Sequence, residues 1–371
     1  MEQDKDVKDG IQKIDGIQNI EVKDGIQKID GIQNINVKDG IQNINVKEVK
    51  EVKEVKEVKE VKEVKEVKEV KDVKEVKEVK EVKEVKEVKE VKVFKNLVIS
   101  GGGSYFFQFY GIIKYLEMSN LLNTITKFVG VSAGGLAIFL IIIGYKYNEL
   151  ENFLIKFDFN KIFDLHFEKI LIDEKFKGLT NGENFDKLIK KFLHKKDLDE
   201  NITLKQLYDK TNKDFIIGIT NITKDRVEYV NHLNYPDMPV YLALRITCCI
   251  PILYEPILYK DCYYIDGGLK DNFPIQLIPD EDLKDTIAIV LSPFKETYDI
   301  SEMETITFLF HMYRTISSDY IKGKIDKYTD KCKLFIVSTG NQNFINYKID
   351  ENNRKELLEL GYEQCRKSFT S

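Results

Sequence analysis

The sequence predicts an α/β domain that begins after residue 92. Two segments indicate this fold class, because each passes from an apolar strand through glycines into a stretch with helical apolar spacing. The first has a strand at Phe94–Ser100, a glycine loop and a helix at Ser104–Met118. The second has a strand at Lys127–Val131, a glycine-rich turn and a helix at Leu136–Ile143.

Further strands and helices alternate along the rest of the chain. Apolar runs predict strands at Phe215–Thr220, Arg226–Val230, Thr286–Ser292 and Leu334–Ser338, the first two as a pair. Residues 145–212 have helical periodicity and lie where a cap over a site could be inserted. The segment Asp350–Lys367 predicts a closing amphipathic helix.

Residues 1–92 form a low-complexity repeat tail, which we expect to be separate from the domain at 93–371. Repeats of 15 residues, built on VKDGIQKIDGIQNI, are followed by Glu-Val-Lys triplets from Glu48 to Lys92. A three-residue period forms no apolar face on a helix or a strand, so a solvated helix and an extended chain both stay open. A stacked solenoid is not expected, since one Val per triplet buries little. The tail is either a spacer or docking arm of unknown partner, or a repeat expansion without function.

Charge and cysteine usage exclude several classes of function. The tail has 22 basic and 24 acidic residues and the remainder has 35 and 38, so neither part has the basic excess typical of nucleic-acid-binding domains. The five cysteines lack metal-ligand spacing and are expected to be reduced thiols. No secretory signal is visible, and the longest apolar run, Leu136–Ile143, is too short to span a bilayer. We therefore expect a protein that is not secreted and is cytoplasmic or peripheral at membranes.

Three consecutive glycines, Gly101, Gly102 and Gly103, follow the first strand. Amides in such a loop point outward at a helix amino terminus, where they stabilise a phosphate or an oxyanion. Phe106 occupies the third glycine position of the dinucleotide-binding fingerprint, which disfavours a Rossmann nucleotide site. A plain tight turn is the alternative.

The segment GVSAGG, from Gly130 to Gly135, matches the G-x-S-x-G pattern of a nucleophile elbow. Ser132 would lie on a strained turn between strand and helix, and Gly130 and Gly134 flank it because side chains there would clash with neighbouring elements. An ordinary glycine-rich turn between strand and helix is the alternative.

The candidate base for this serine is a carboxylate. None of the four histidines lies in a glycine-rich or turn context: His166, His194, His232 and His311. Asp266, by contrast, ends an apolar strand and is followed by Gly267 and Gly268. Desolvation could raise the pKa of Asp266 and let it accept the serine proton directly. An Asp-Gly turn without catalytic role is the alternative.

In this order, the triple glycine, the G-x-S-x-G elbow and the Asp-Gly-Gly at 266–268 resemble the patatin-like phospholipase family. The resemblance covers about residues 97–338 and includes ALRITCCIPILYEP at Ala243–Pro256 and DNFPI at Asp271–Ile275. It implies a three-layer α/β/α domain that hydrolyses fatty-acyl esters through a Ser-Asp dyad and an acyl-enzyme, without a metal or another cofactor. On that basis Ser132 is the nucleophile, Asp266 is the general base, and the amides of Gly101–Gly103 line the oxyanion hole.

The sequence departs from the family pattern just after the triple glycine. Family members usually carry a small or basic pair there, typically ending in another glycine, whereas this chain has Tyr105 and Phe106, which could weaken the oxyanion hole. Two functions therefore stay open. One is a phospholipase A-like lipid acyl hydrolase acting on phospholipid or another acyl lipid at a membrane surface, and the other is a catalytically weak or inactive lipid-binding or tethering protein. The aromatic residues of Tyr105–Tyr110 could form an acyl-chain pocket, rest on a lipid surface or belong to the core.

Overall fold

The structure, a computed structural model, describes residues 93–162, 166, 168, 175, 177–292, 300–301, 305–337 and 350–370, together with short strands between residues 19 and 64. The chain divides into two compact units, Met1–Lys92 and Val93–Ser371. None of the helices in the described part of the chain has the length and apolar character needed to cross a lipid bilayer.

The described residues of the first unit form short strands. Four of them make one mixed sheet: Asn19–Lys23, Ile26–Asp30, Ile44–Val46 and Val61–Val64. Two others pair in parallel: Ile35–Val37 and Val52–Val55. For the Glu-Val-Lys triplets the sequence left open a solvated helix and an extended chain. The described triplet residues, Val52–Val55 and Val61–Val64, are extended.

Among the described residues of the second unit, ten strands form two sheets. They are β1 (Asn96–Ile99), β2 (Lys127–Val131), β3 (Gly178–Thr180), β4 (Asp214–Asn221), β5 (Arg226–Val230), β6 (Ile252–Tyr254), β7 (Ile257–Tyr259), β8 (Cys262–Asp266), β9 (Thr286–Leu291) and β10 (Lys333–Val337). The main sheet has the order β7-β8-β4-β2-β1-β9-β10, with β5 paired to β4, and β3 pairs separately with β6. The predicted pair of Phe215–Thr220 and Arg226–Val230 is confirmed as the antiparallel pair of β4 and β5.

The α-helices of the described residues lie between these strands. They are α1 (Phe106–Met118), α2 (Ala133–Ile142), α3 (Tyr147–Lys156), α4 (Glu183–His194), α5 (Leu204–Thr211), α6 (Val240–Thr247), α7 (Gly268–Asp271), α8 (Thr305–Tyr328) and α9 (Glu351–Thr370). The first helix begins later than predicted, because Gly103–Tyr105 form a 3₁₀ turn. The second begins earlier than predicted, directly after Ser132. Ser338, the end of a predicted strand, lies outside the described residues.

Alternating side chains of the central strands face two separate apolar clusters. Leu97 and Ile99 of β1 join a cluster with residues of α1, α2 and α9. Val98 between them joins a second cluster with Ile321 and Ile325 of α8. Because the strands β4, β2, β1, β9 and β10 are parallel neighbours, this alternation places helices on both faces of one sheet. The predicted three-layer α/β/α fold is confirmed.

Two strand ends meet on one edge of β4. Residues 217 and 218 pair with both β2 and β5, and residues 219–221 pair with both β5 and β8. Strands β2 and β8 therefore lie end to end on the edge opposite β5. Val131, the last residue of β2, pairs with Gly218, while Asp266, the last residue of β8, pairs with Ile219. The topology thus brings Ser132 next to Asp266, although the two are distant in sequence.

Candidate active site

Ser132 lies on the turn between β2 and α2 in a strained conformation, with φ +50° and ψ −125°. A residue with a Cβ rarely adopts positive φ unless its surroundings fix it. Here the Ser132 N–H donates to Thr247 Oγ1 at 2.8 Å, and the Thr247 hydroxyl donates to the Gly218 carbonyl at 2.6 Å. The end of α6 thereby holds the turn in the geometry of a nucleophile elbow.

Close approach between elements explains the glycines of the elbow. A Cβ on Gly134 would lie 2.4 Å from the carbonyl oxygens of Ile99 and Ser100. A Cβ on Gly130 would lie 2.7 Å from the Cα of Gly135. Any side chain at these two positions would push α2 away from β1 and β2 and displace Ser132.

Asp266 ends β8 with only 6% of its surface exposed. The Gly268 N–H donates to Asp266 Oδ1 at 2.7 Å. Gly267, between Asp266 and Gly268, packs against the Gly218 carbonyl. Burial raises the pKa of Asp266 from 3.8 to about 7, because the Ser132 side chain and the Gly268 amide favour the carboxylate but offset only part of the desolvation. The carboxyl group can therefore accept a proton near neutral pH.

A buried ion pair anchors α7, the short helix that carries Gly268. Lys324 Nζ of α8 lies 2.6 Å from Asp271 Oδ1 and also donates to the Phe273 carbonyl at 2.8 Å. The Tyr229 hydroxyl donates to the other Asp271 oxygen at 2.6 Å. Because α7 follows Asp266 directly, this pair fixes the amide that binds the Asp266 carboxylate.

The triple-glycine loop lies beside the elbow, but its three amides are not equivalent. A Cβ on Gly101 would lie 3.3 Å from Ser132 Cβ, which places the loop next to the serine. The Gly101 N–H, however, donates to the Asn272 carbonyl at 3.1 Å, and Asn272 Nδ2 donates to the Gly101 carbonyl at 3.2 Å. The sequence assigned all three amides to an oxyanion hole. Because the Gly101 amide is already engaged, Gly102 and Gly103 are the candidates that remain, and Gly103 borders the cavity beside Ser132.

The two residues that depart from the family pattern are buried. Tyr105 is 2% exposed and Phe106 is 6% exposed. The Tyr105 N–H donates to the Gly102 carbonyl at 3.0 Å, so the loop folds into a turn before α1 begins. The other three aromatic residues of Tyr105–Tyr110 are also in the core, and Phe106 and Phe107 line the cavity as well. None of these aromatic side chains rests on the protein surface, so of the three alternatives that the sequence left open the structure supports the core, with Phe106 and Phe107 also in the cavity wall.

An apolar cavity of about 150 Å³ lies beside Ser132. Part of its wall comes from α1 and α2 of the domain body. Six side chains come from residues 145–212: Phe153, Phe159, Ile162, Phe185, Leu188 and Phe192. This segment therefore covers the site, a point that the sequence left open.

Two polar side chains of the cavity were missed by the sequence analysis. Cys248 lines the cavity together with Ser132, and burial raises the pKa of its thiol well above the ordinary value. Arg354 of α9 donates to the carbonyls of Ile155 and Phe157 at 2.9 and 2.6 Å, at the end of α3. The ALRITCCIPILYEP segment contains Cys248, but its residue type gave no signal. Arg354 lies beyond the last motif.

The histidines have no visible part in the described cavity, and the cysteines pair in no disulfide. No histidine is among the side chains that line the described cavity. His232 stacks on Tyr208 and lies 3.4 Å from Asp214. All five cysteines are free thiols. Within the described residues, no group of three or more His, Cys, Asp or Glu side chains could hold a metal ion.

Comparison with known proteins identifies the family. The patatin-like phospholipase family model matches residues 97–278. The chain belongs to the patatin-like phospholipase family. It is 32% identical over 186 residues to a probable lipid hydrolase, 463L, of Invertebrate iridescent virus 6, and the match covers 50% of this chain and 63% of that protein. The chain thus spans less than two thirds of the length of this relative.

Two further similarities extend beyond the residues of the family model. The chain is 28% identical over 286 residues to the uncharacterized protein R571 of Acanthamoeba polyphaga mimivirus, covering 74% of this chain and 93% of that protein. The crystal structure of VipD from Legionella pneumophila has a TM-score of 0.50 at 17% identity, covering 75% of this chain and 67% of that chain. The structural similarity to VipD supports the patatin-like fold.

Proposed function

We propose that the protein is a phospholipase A-like lipid acyl hydrolase with Ser132 as nucleophile and Asp266 as general base. One observation carries this proposal: a serine on a strained elbow lies next to a buried carboxyl group at the meeting ends of β2 and β8, beside an apolar cavity. Family membership and the named lipid hydrolase relative support the reaction class.

In the first half-reaction, Ser132 Oγ attacks the carbonyl carbon of a fatty-acyl ester while Asp266 accepts its proton. The carbonyl oxygen becomes negative and is stabilised by the amides of Gly102 and Gly103. Asp266 then returns the proton to the departing alcohol, which leaves an ester between the fatty acid and Ser132. A carboxyl group with a pKa of about 7 suits both proton transfers, since its pKa lies near the operating pH.

In the second half-reaction, Asp266 takes a proton from water as the water attacks the acyl-enzyme. The same amides stabilise the second oxyanion, and Asp266 returns the proton to Ser132 as the fatty acid leaves. The acyl chain occupies the apolar cavity, whose aromatic and aliphatic wall holds a hydrocarbon chain in place of water. Each step uses only side chains and amides of this chain, without a metal. The substrate is a phospholipid or another acyl lipid. We expect the protein to be cytoplasmic or peripheral at membranes and to meet this substrate at a membrane surface.

The test is release of free fatty acid from phospholipid vesicles by the full chain, with a chelator present. We expect Ser132→Ala and Asp266→Asn each to lower the rate by at least about 10³-fold. Ser119→Ala and Asp326→Asn make the same changes at exposed positions and should retain the parent rate. A parent protein inactive on vesicles and on short-chain esters would contradict the proposal and favour a lipid-binding or tethering protein.

A further inference from the structure

Three exposed apolar side chains lie in a row across the outer strands of the main sheet. Leu258 of β7 pairs directly with Tyr263 of β8. Just beyond the end of β4, the Ile222 N–H donates to the Tyr263 carbonyl at 3.0 Å. Directly opposed residues project from the same face of a sheet, so the three side chains share one face. Their exposed fractions are 60%, 39% and 42% for Leu258, Tyr263 and Ile222, and we call them the apolar row.

The apolar row is continuous with the wall of the cavity. Ile265 lies two residues after Tyr263 and therefore projects from the same face of β8. It is buried in a cluster with Leu253 and Tyr254. These last two side chains line the cavity beside Ser132. A single layer of buried side chains thus separates the exposed row from the place where we expect the acyl chain.

Lysines lie along the margin of the apolar row. Lys177 Nζ lies 5.2 Å from the centroid of the Tyr263 ring. Lys224 is exposed two residues after Ile222. The Nζ of Lys260, in the turn between β7 and β8, instead lies 5.3 Å from the ring of Tyr259, which projects from the other face of β7. Apolar side chains flanked by lysines are typical of surfaces that enter the boundary between lipid headgroups and acyl chains.

Acidic residues at this margin do not cancel the positive charge. Asp225 pairs with Lys270 at 2.7 Å, so these two charges balance each other. Asp261 shares the turn with Lys260. The charges of Asp261 and Lys260 balance each other as well. Lys177 and Lys224 therefore leave an excess of positive charge around the row. A second copy of this chain is a poor partner for the surface, because a two-fold contact would place equal charges against each other.

We propose that the apolar row docks on the surface of a bilayer that contains anionic phospholipid. The inference rests on the proposed lipid hydrolase function and names where the substrate surface lies. Leu258, Tyr263 and Ile222 enter the headgroup boundary, while the lysines lie at the level of the phosphates. The cavity then lies next to the lipid from which an acyl chain is drawn.

The test is co-sedimentation of the full chain with phosphatidylcholine vesicles, with and without phosphatidylserine. We expect Leu258→Gln to lower partitioning onto vesicles about 10-fold, because one inserted side chain contributes on that order. Lys177→Gln should lower it about 5-fold, and only on vesicles with phosphatidylserine. Leu360→Gln is the matched control, since Leu360 is 51% exposed on α9, away from the row.

Hydrolysis of a water-soluble short-chain ester separates this proposal from the proposed function. Leu258→Gln should hydrolyse that ester at the parent rate, because Leu258 does not line the cavity. Equal vesicle binding by Leu258→Gln and the parent would overturn the docking proposal. So would a dimeric parent that Leu258→Gln converts to a monomer with unchanged vesicle binding. A parent that binds vesicles through the row but hydrolyses no ester would instead contradict the proposed function alone.

Discussion

Replacing Asp266 by Asn should change how the stability of the protein depends on pH. The pKa of Asp266 is raised from 3.8 to about 7 in the folded protein because the carboxyl group is buried. At 1.36 kcal/mol per pKa unit, this difference corresponds to about 4 kcal/mol. Between the two pKa values the folded protein holds a proton that the unfolded chain has released. The free energy of unfolding contributed by Asp266 is therefore highest below about pH 4 and falls until about pH 7.

The Asp266→Asn variant lacks this titration. Its free energy of unfolding, relative to that of the parent, should rise by about 3 kcal/mol between about pH 5 and pH 8. The assay is urea unfolding of the full chain at both pH values, followed by far-ultraviolet circular dichroism, which suits a chain without Trp. Asp225→Asn is the matched control, because Asp225 is 87% exposed.

The direction of the change decides the outcome of this experiment. A difference between Asp266→Asn and the parent that stays constant between pH 5 and pH 8 would show that the pKa of Asp266 is not raised in the folded protein. The argument from burial would then be refuted.

Three further substitutions test other parts of the structure. Thr247→Val removes the acceptor of the Ser132 N–H, so kcat on a soluble ester should fall about 10-fold with KM nearly unchanged, whereas Thr247→Ser should retain the parent kcat. Lys324→Met leaves the buried Asp271 without its cation and should lower the free energy of unfolding in urea by about 3 to 5 kcal/mol, and adding Asp271→Asn should restore part of it. Leu188→Trp fills part of the cavity and should shift the chain-length preference, measured on a series of acyl esters, toward shorter chains. An unchanged kcat, stability or chain-length profile, respectively, would contradict these assignments.

The sequence predicted the parts of the site that depend on local backbone geometry. The elbow around Ser132 is specified within six residues, because its glycines, its strand and its helix are adjacent in the chain. Asp266 could be found in the same way, as a carboxylate at the end of a strand followed by two glycines. The fold class followed from the alternation of strands and helices.

The parts that sequence analysis missed depend on contacts between distant segments. Thr247 holds the elbow through one hydroxyl group, and a threonine near the end of a helix has no distinctive pattern. The engagement of the Gly101 amide by Asn272 depends on how two loops meet in space. Arg354 reaches the cavity only because α9 packs beside α1 and α3. Periodicity cannot place such residues, since it reports which face of an element is apolar and not what covers that face.

The most direct test of the proposed mechanism is the site of the acyl-enzyme. Acid quenching during turnover of a long-chain p-nitrophenyl ester, followed by peptide mass spectrometry, locates any acyl group that remains on the protein. We predict an acyl group on Ser132 in the parent and none in Ser132→Ala. Cys248 is the rival nucleophile, because its thiol lines the same cavity as Ser132. An acyl group on Cys248, or turnover without any acylated residue, would contradict the Ser132–Asp266 mechanism.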